Sequence, residues 1–146
     1  MMKFAIPLSI SAVILLLFST LVWGEETDPP AFAYLLHCSG CHLEDGSSAP
    51  PLVPDLRSDL GPLLASPEGR RYLLGVPGVT DTPIPASEMA GLMNWLIGTL
   101  YPDRTDFEPF TVEEINNGRL NRLDDPLKVR GELFPKLLGK TDDSED

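Results

Sequence analysis

The chain has 146 residues, enough for one ordinary domain, and 42% of them are hydrophobic. Its formal net charge of −11 argues against nucleic acid and anionic membrane surfaces as partners, because both would repel an acidic protein. This charge either suits a partner protein with a basic docking patch or simply keeps the chain in solution.

Residues 1–24 predict an export signal. Lys3 supplies a positive start, an apolar stretch follows, and Val22 and Gly24 suit cleavage after Gly24. An uncleaved membrane anchor is the alternative, because residues 6–23 are about long enough to span a thin bilayer. Pro7 and the serines and threonines favour cleavage. Either way, the rest of the chain is predicted to be periplasmic, and to meet a membrane only if the segment stays uncleaved.

The next part of the chain predicts short helices separated by proline-rich loops, with no alternating strand pattern. Asp28 is a candidate N-cap for the first helix, Ser66 for the third and Ser87 for the fourth, which has the clearest apolar face. These signals predict helices at 31–37, 56–64, 68–74 and 87–100, with loops at 43–55 and 75–85.

The chain after Pro102 is polar and charged. Thr111 and Glu114 have the spacing of a capping box, which predicts a short helix ending near Gly118. Another helix is predicted at 127–138, and the acidic end at 141–146 is predicted to be disordered. We therefore predict a domain at 28–101 and a C-terminal extension at 102–146.

The two cysteines lie in Cys38-Ser39-Gly40-Cys41-His42, a C-x-x-C-H motif. On a helical turn, positions i, i+3 and i+4 share one face. Both thiols can therefore bond to the vinyl groups of one haem, with His42 beneath the iron. The motif predicts one covalent haem c, with Cys38 and Cys41 as attachment residues and His42 as iron ligand.

The motif has three other possible interpretations. A structural zinc site needs four ligands, and only His37 is left to complete one. A thioredoxin-like pair requires strands beside it. A short-loop disulfide leaves the histidine and the export signal unexplained. The haem interpretation is favoured because motif, compartment and helical context agree.

Residues 38–56, CSGCHLEDGSSAPPLVPDL, resemble the haem-attachment region of class I c-type cytochromes. The resemblance extends over about residues 31–100 and implies the all-α fold of that family, followed here by a less regular extension. It also implies that the Pro54 carbonyl accepts a hydrogen bond from His42, and that Trp95 packs against the first helix.

The sixth iron ligand departs from this pattern. The family usually supplies a methionine from the loop before the last helix, and residues 75–85 contain none. Beyond the predicted signal, the methionines are Met89 and Met93, on the apolar face of the fourth helix, where methionine more often fills a core. Met89 is nearer the loop and is the candidate metal ligand; otherwise the iron is open or takes an unusual ligand.

The predicted function is non-enzymatic one-electron transfer, accepting or delivering electrons for a particular dehydrogenase or oxidase. The segment Asp106-Phe107-Glu108-Pro109-Phe110 either docks such a partner or covers apolar surface. Arg70, Arg71 and Tyr72 are candidates to pair with haem propionates, with a solvated helix face or the core as alternatives. A second function is binding of small gases or peroxide at an open iron. A peroxidase needs a distal acid–base group, and His37 is the histidine left for that role.

Overall fold

The computed structural model describes residues 29–139. The predicted export signal, the candidate cap Asp28 and the acidic end at 141–146 lie outside the described residues. Every regular element in 29–139 is helical, and none of these helices is long and apolar enough to cross a membrane. The helices are α1 Pro29–His37, α2 Ser39–His42, α3 Leu56–Leu64, α4 Pro67–Gly75, α5 Pro77–Thr80, α6 Ala86–Leu100, α7 Val112–Leu120 and α8 Pro126–Gly139.

Of the helix caps predicted within the described residues, Ser66 and the Thr111 capping box are confirmed and Ser87 is not. Ser66 caps α4 by accepting a hydrogen bond from the Gly69 backbone N–H at 3.0 Å. The prediction that Ser87 caps α6 is wrong, because the helix begins one residue earlier, after Pro85. Pro85 occupies the N-cap position, where it makes no side-chain hydrogen bond. Ser87 is therefore the second residue of the helix and lies inside its first turn.

The predicted loop at 75–85 contains the short helix α5. Pro77 stands at its first position, where a missing N–H costs nothing, and the Thr80 backbone N–H donates to the Val76 carbonyl at 3.0 Å. Gly75 is the last residue of α4, so within the predicted loop only residue 76 and residues 81–85 are irregular.

The core forms where α1 packs against α6. Tyr34 on α1 is 2% exposed, and its ring centroid lies 5.8 Å from that of Trp95 on α6, as the resemblance implied. Met89, Leu92 and Ile97 bury the inner face of α6. This helix pair carries the residues that lead into the cysteine motif.

The C-terminal extension shares this core. Ile115 on α7 is fully buried, Phe110 is 3% exposed and Leu137 on α8 is 8% exposed. The Arg70 guanidinium carbon lies 4.0 Å from the centre of the Phe110 ring. Phe110 therefore covers apolar surface of this chain, which was the alternative to partner docking. The boundary at 101/102 stays a prediction.

Helix α7 begins with the predicted capping box. Thr111 Oγ1 accepts from the Glu114 backbone N–H at 3.2 Å, and Glu114 accepts from the Thr111 N–H at 2.9 Å. Glu114 also accepts from Arg70 Nε at 2.6 Å. Hydrogen bonding to Arg70, and secondarily to Thr111, lowers the pKa of Glu114 to about 2.

This shift predicts that Glu114 contributes to acid resistance. The folded-state pKa lies below the ordinary value of 4.5, so the charged carboxylate stabilises the fold above that pH and loses its effect as pH falls towards 2. Between these values, the free energy of unfolding is expected to fall by about 1–2 kcal/mol more in the parent than in Glu114→Gln, with allowance for solvent screening of a partly exposed pair. Denaturant titrations over this pH range measure the difference.

The matched control is Glu113→Gln, which removes an exposed carboxylate from the same helical turn. Its pH profile should parallel that of the parent. Equal acid sensitivity of Glu114→Gln and the parent would show that the ion pair with Arg70 does not stabilise the fold.

Candidate functional site

The C-x-x-C-H motif forms one helical turn. The backbone N–H groups of Cys41 and His42 both donate to the Cys38 carbonyl, at 3.1 and 3.0 Å. Cys38 has helical backbone angles at the start of α2, and its own N–H donates to the Tyr34 carbonyl at 2.8 Å. Cys38, Cys41 and His42 therefore occupy positions i, i+3 and i+4 of a real turn, on one face.

Tyr34 ties this turn to the core. Its buried hydroxyl donates to the carbonyls of Leu43 at 2.7 Å and His42 at 3.2 Å, where α2 ends. Leu43 has a φ of 47°, a left-handed conformation that is unfavourable for a leucine. The Tyr34 hydroxyl satisfies the carbonyls exposed by this reversal, and burial raises the pKa of Tyr34 to about 12.

Both cysteines are free thiols in the structure, so no short-loop disulfide is present between them. Cys41 is exposed, whereas Cys38 is partly buried. Burial, with a smaller contribution from the neighbouring Cys41, raises the pKa of Cys38 to about 11. Cys38 is therefore held as a neutral thiol, unlike the low-pKa cysteine of a thioredoxin-like pair.

His42 has the surroundings of a metal-ligating histidine. Burial lowers the pKa of its imidazole, although the Pro54 backbone and Asp55 act in the opposite direction. The ring is therefore neutral at physiological pH, the form that binds iron. Its Nδ1 atom is buried without a hydrogen-bond partner. The Pro54 carbonyl affects the ring but makes no hydrogen bond of ordinary geometry with Nδ1, so the bond implied by the resemblance stays a prediction.

An apolar cavity of about 180 Å³ lies beside His42. A second cavity, of about 510 Å³, shares Leu52, Asp59, Leu127 and Arg130 with it. Predominantly apolar walls with a few polar groups are typical of cofactor sites. Besides His42 and the shared residues, the smaller cavity is lined by Pro54, Leu56, Leu60, Leu63, Tyr72, Leu73, Val76, Gly78 and Pro126.

The basic residue at this cavity comes from the extension. Arg130 Nη2 donates to the Pro51 carbonyl. The same guanidinium hydrogen-bonds the Tyr72 hydroxyl; burial raises the pKa of Tyr72, and Arg130 acts in the opposite direction. Arg70 is instead bonded to Glu114, and Arg71 lies at the surface beside Glu68. Of the three propionate candidates from the sequence, only Tyr72 lines the cavity.

Met89 lies in the hydrophobic core, 1% exposed, and Met93 is 8% exposed. Neither is among the residues that line the His42 cavity, and neither is His37. Iron ligation by Met89 stays a prediction, and its position in the core does not favour it. Within residues 29–139, no group of three or more His, Cys, Asp or Glu side chains could hold a metal ion.

Two site residues were missed in the sequence. Tyr34 had a local signal, because it lies four positions before Cys38 and thus on the same helical face. Arg130 had none, because only the packing of α8 brings it to the cavity of His42.

The described fold and this helical turn have the features of a c-type cytochrome. No family model and no solved structure matches the chain. The chain is similar to cytochrome c-552 of Thermus thermophilus, with 29% identity over 123 residues, covering 70% of this chain and 91% of the relative. A second cytochrome c-552 of the same species shows the same identity, with 80% of its length covered. This likeness supports a c-type cytochrome, and the all-helical fold of the described residues is that of a cytochrome c.

Proposed function

We propose that this chain is an exported class I cytochrome that carries single electrons between redox proteins in the bacterial periplasm. Its cofactor is haem c. The observation that carries the proposal is one helical turn that presents Cys38, Cys41 and a neutral His42, with His42 lining an apolar cavity. Because the chain has only these two cysteines, it can hold one such group through two thioether bonds.

Haem c, when bound, supplies an iron that alternates between the ferric and ferrous states. The chain's own residues have separate tasks around it. Cys38 and Cys41 would hold the group covalently, and His42 would bind its iron. The leucines of α3 and α4 that line the cavity exclude water, which helps to set the redox potential. Tyr72 and Arg130 are the hydrogen-bond donors available to its carboxylates.

The surface beside the motif suits brief contact with a partner protein. Cys41 is exposed, and the neighbouring side chains of Leu36 and Leu43 are 64% and 54% exposed. The net charge of −11 would attract a partner with a basic docking patch, and raising the salt concentration would slow that encounter. We propose a dehydrogenase or oxidase as this partner, with the chain itself carrying electrons rather than acting as an enzyme.

A second candidate function is small-ligand binding at the iron. It is favoured by the segment that faces His42, since Val76 and Gly78 line the cavity and residues 75–85 contain no methionine, histidine, cysteine or lysine. Such a site would bind carbon monoxide promptly when reduced. A methionine-ligated iron would bind it slowly.

The test begins with production of the full chain in a host that attaches haem c. A denaturing gel stained for haem should show haem on the parent chain and none on Cys38→Ser/Cys41→Ser. Ascorbate and ferricyanide should then cycle the native protein reversibly, as followed by its optical spectrum. Parent protein that loses its haem on denaturation would contradict the proposal. Carbon monoxide binding separates the two functions, and the mass of the exported protein reports cleavage after Gly24.

A further inference from the structure

Residues 76–85 form part of the wall of the cavity beside His42 and are called the facing segment below. Val76 and Gly78 belong to it and line the same cavity as the imidazole. This segment therefore lies between part of that cavity and the surrounding solvent.

The facing segment has few contacts with the core. Ile84, 9% exposed, is its one buried residue, and Val76 and Val79 are partly buried and pack against the core. Its internal contacts are local, such as the hydrogen bond from Thr82 Oγ1 to the Gly78 carbonyl at 2.6 Å. Its position relative to His42 therefore depends on contacts from elsewhere in the chain.

The end of α7 and the residues just after it supply these contacts. Arg119 Nη2 donates to the Ile84 carbonyl at 2.7 Å and more weakly to that of Thr82 at 3.4 Å. Arg122 Nε donates to both carboxylate oxygens of Asp81 at 3.0 Å.

The contacts continue to the residue before the facing segment. The Leu123 backbone N–H donates to the Gly75 carbonyl at 2.8 Å. Residues 119–123 thus bind the facing segment at three places: next to its start at Gly75, near its middle at Asp81 and near its end at Ile84.

Helix α7, which carries Arg119 and leads directly to Arg122 and Leu123, is itself firmly placed. Ile115 is fully buried, and Gly118 lies directly against Leu74 of α4. Arg119 Nε is buried without a partner, which costs free energy. The charge-assisted bonds from the same guanidinium to two carbonyls of the facing segment offset that cost. Loss of the Arg119 guanidinium would therefore release the facing segment.

We propose that Arg119 and Arg122 hold the facing segment against the cavity of His42, so that the C-terminal extension controls how fast small external ligands reach the haem iron. This inference rests on the proposed function, because it requires haem on Cys38 and Cys41. Both arginines are positioning residues, since they act through the backbone and Asp81 of the facing segment.

The experiment compares Arg119→Gln and Arg122→Gln with the parent, all as haem-loaded full chains. The rate of carbon monoxide binding to reduced protein is measured optically. Arg119→Gln is expected to bind at least about tenfold faster, because loss of charge-assisted hydrogen bonds shifts an opening equilibrium by that factor. Arg122→Gln is expected to show a smaller gain, about threefold, because its ion pair is half exposed.

The control is Arg71→Gln, which removes the same charge from a side chain that is 69% exposed. Its rate should stay within about twofold of the parent, as for other surface substitutions. Arg122→Lys, which keeps the charge beside Asp81, should restore most of the slow rate. Thermal unfolding and a haem-stained gel accompany every variant.

Rates within about twofold of the parent for Arg119→Gln and Arg122→Gln would overturn the inference. The inference would also be overturned if the carbon monoxide binding rate rose only in proportion to the loss of thermal stability in all variants, Arg71→Gln included. Arg122→Gln decides the matter if Arg119→Gln does not fold. Failure of the proposed function is distinguishable, because the parent would then carry no haem on the denaturing gel.

Discussion

Replacing His42 with glycine is expected to remove the side chain that would bind the haem iron, while haem would stay attached through Cys38 and Cys41. The imidazole is neutral and lines an apolar cavity, and the other residues around that cavity include no second histidine or methionine. The optical spectrum of a ligated iron should be lost, and the free energy of unfolding should fall by about 3 kcal/mol or more, since both the bond and the buried ring disappear. Optical spectra and denaturant titrations measure both effects.

Free imidazole provides a sharp check on this result. It can occupy the space that the side chain leaves, so millimolar imidazole should restore the spectrum of His42→Gly. The control is His37→Ala, which changes the other histidine of the chain and should leave the spectrum unchanged. An unaltered spectrum in His42→Gly would show that this residue does not bind the iron.

Replacing Gly118 with alanine is expected to destabilise the fold strongly. Helices α7 and α4 approach so closely that a Cβ at this position would lie 2.4 Å from the Leu74 carbonyl oxygen and 2.9 Å from its Cβ. Backbone atoms cannot yield without separating the two helices. The substitution should therefore cost about 3 kcal/mol or more, although alanine is the better helix former. Denaturant unfolding measures this loss.

Gly91 provides a control of opposite sign. It lies exposed on α6, and a Cβ there would meet nothing within 4 Å. Gly91→Ala should raise the free energy of unfolding by about 0.5–1 kcal/mol through helix propensity alone. If Gly118→Ala were as stable as the parent, α7 would not pack against α4 as described, and the basis for positioning the facing segment would be lost.

The parts of the fold that were predictable have local causes. Ser66 and Thr111 accept hydrogen bonds from residues three positions away, so their capping roles follow from spacing alone. The motif is of the same kind, because one helical turn brings Cys38, Cys41 and His42 onto one face. Ser87 failed as a cap because Pro85, outside the predicted helix, determined where the helix begins.

The sequence by itself determined the chemistry of the site: two thiols and an imidazole at helical spacing, and the likeness to c-type cytochromes that they carry. Only the tertiary structure decided what surrounds them. It buries Met89 in the core, brings Arg130 of α8 to the cavity of His42, and sets Arg119 and Arg122 on the facing segment. These contacts join residues far apart in the chain, and they depend on which helix faces pack together rather than on any local pattern.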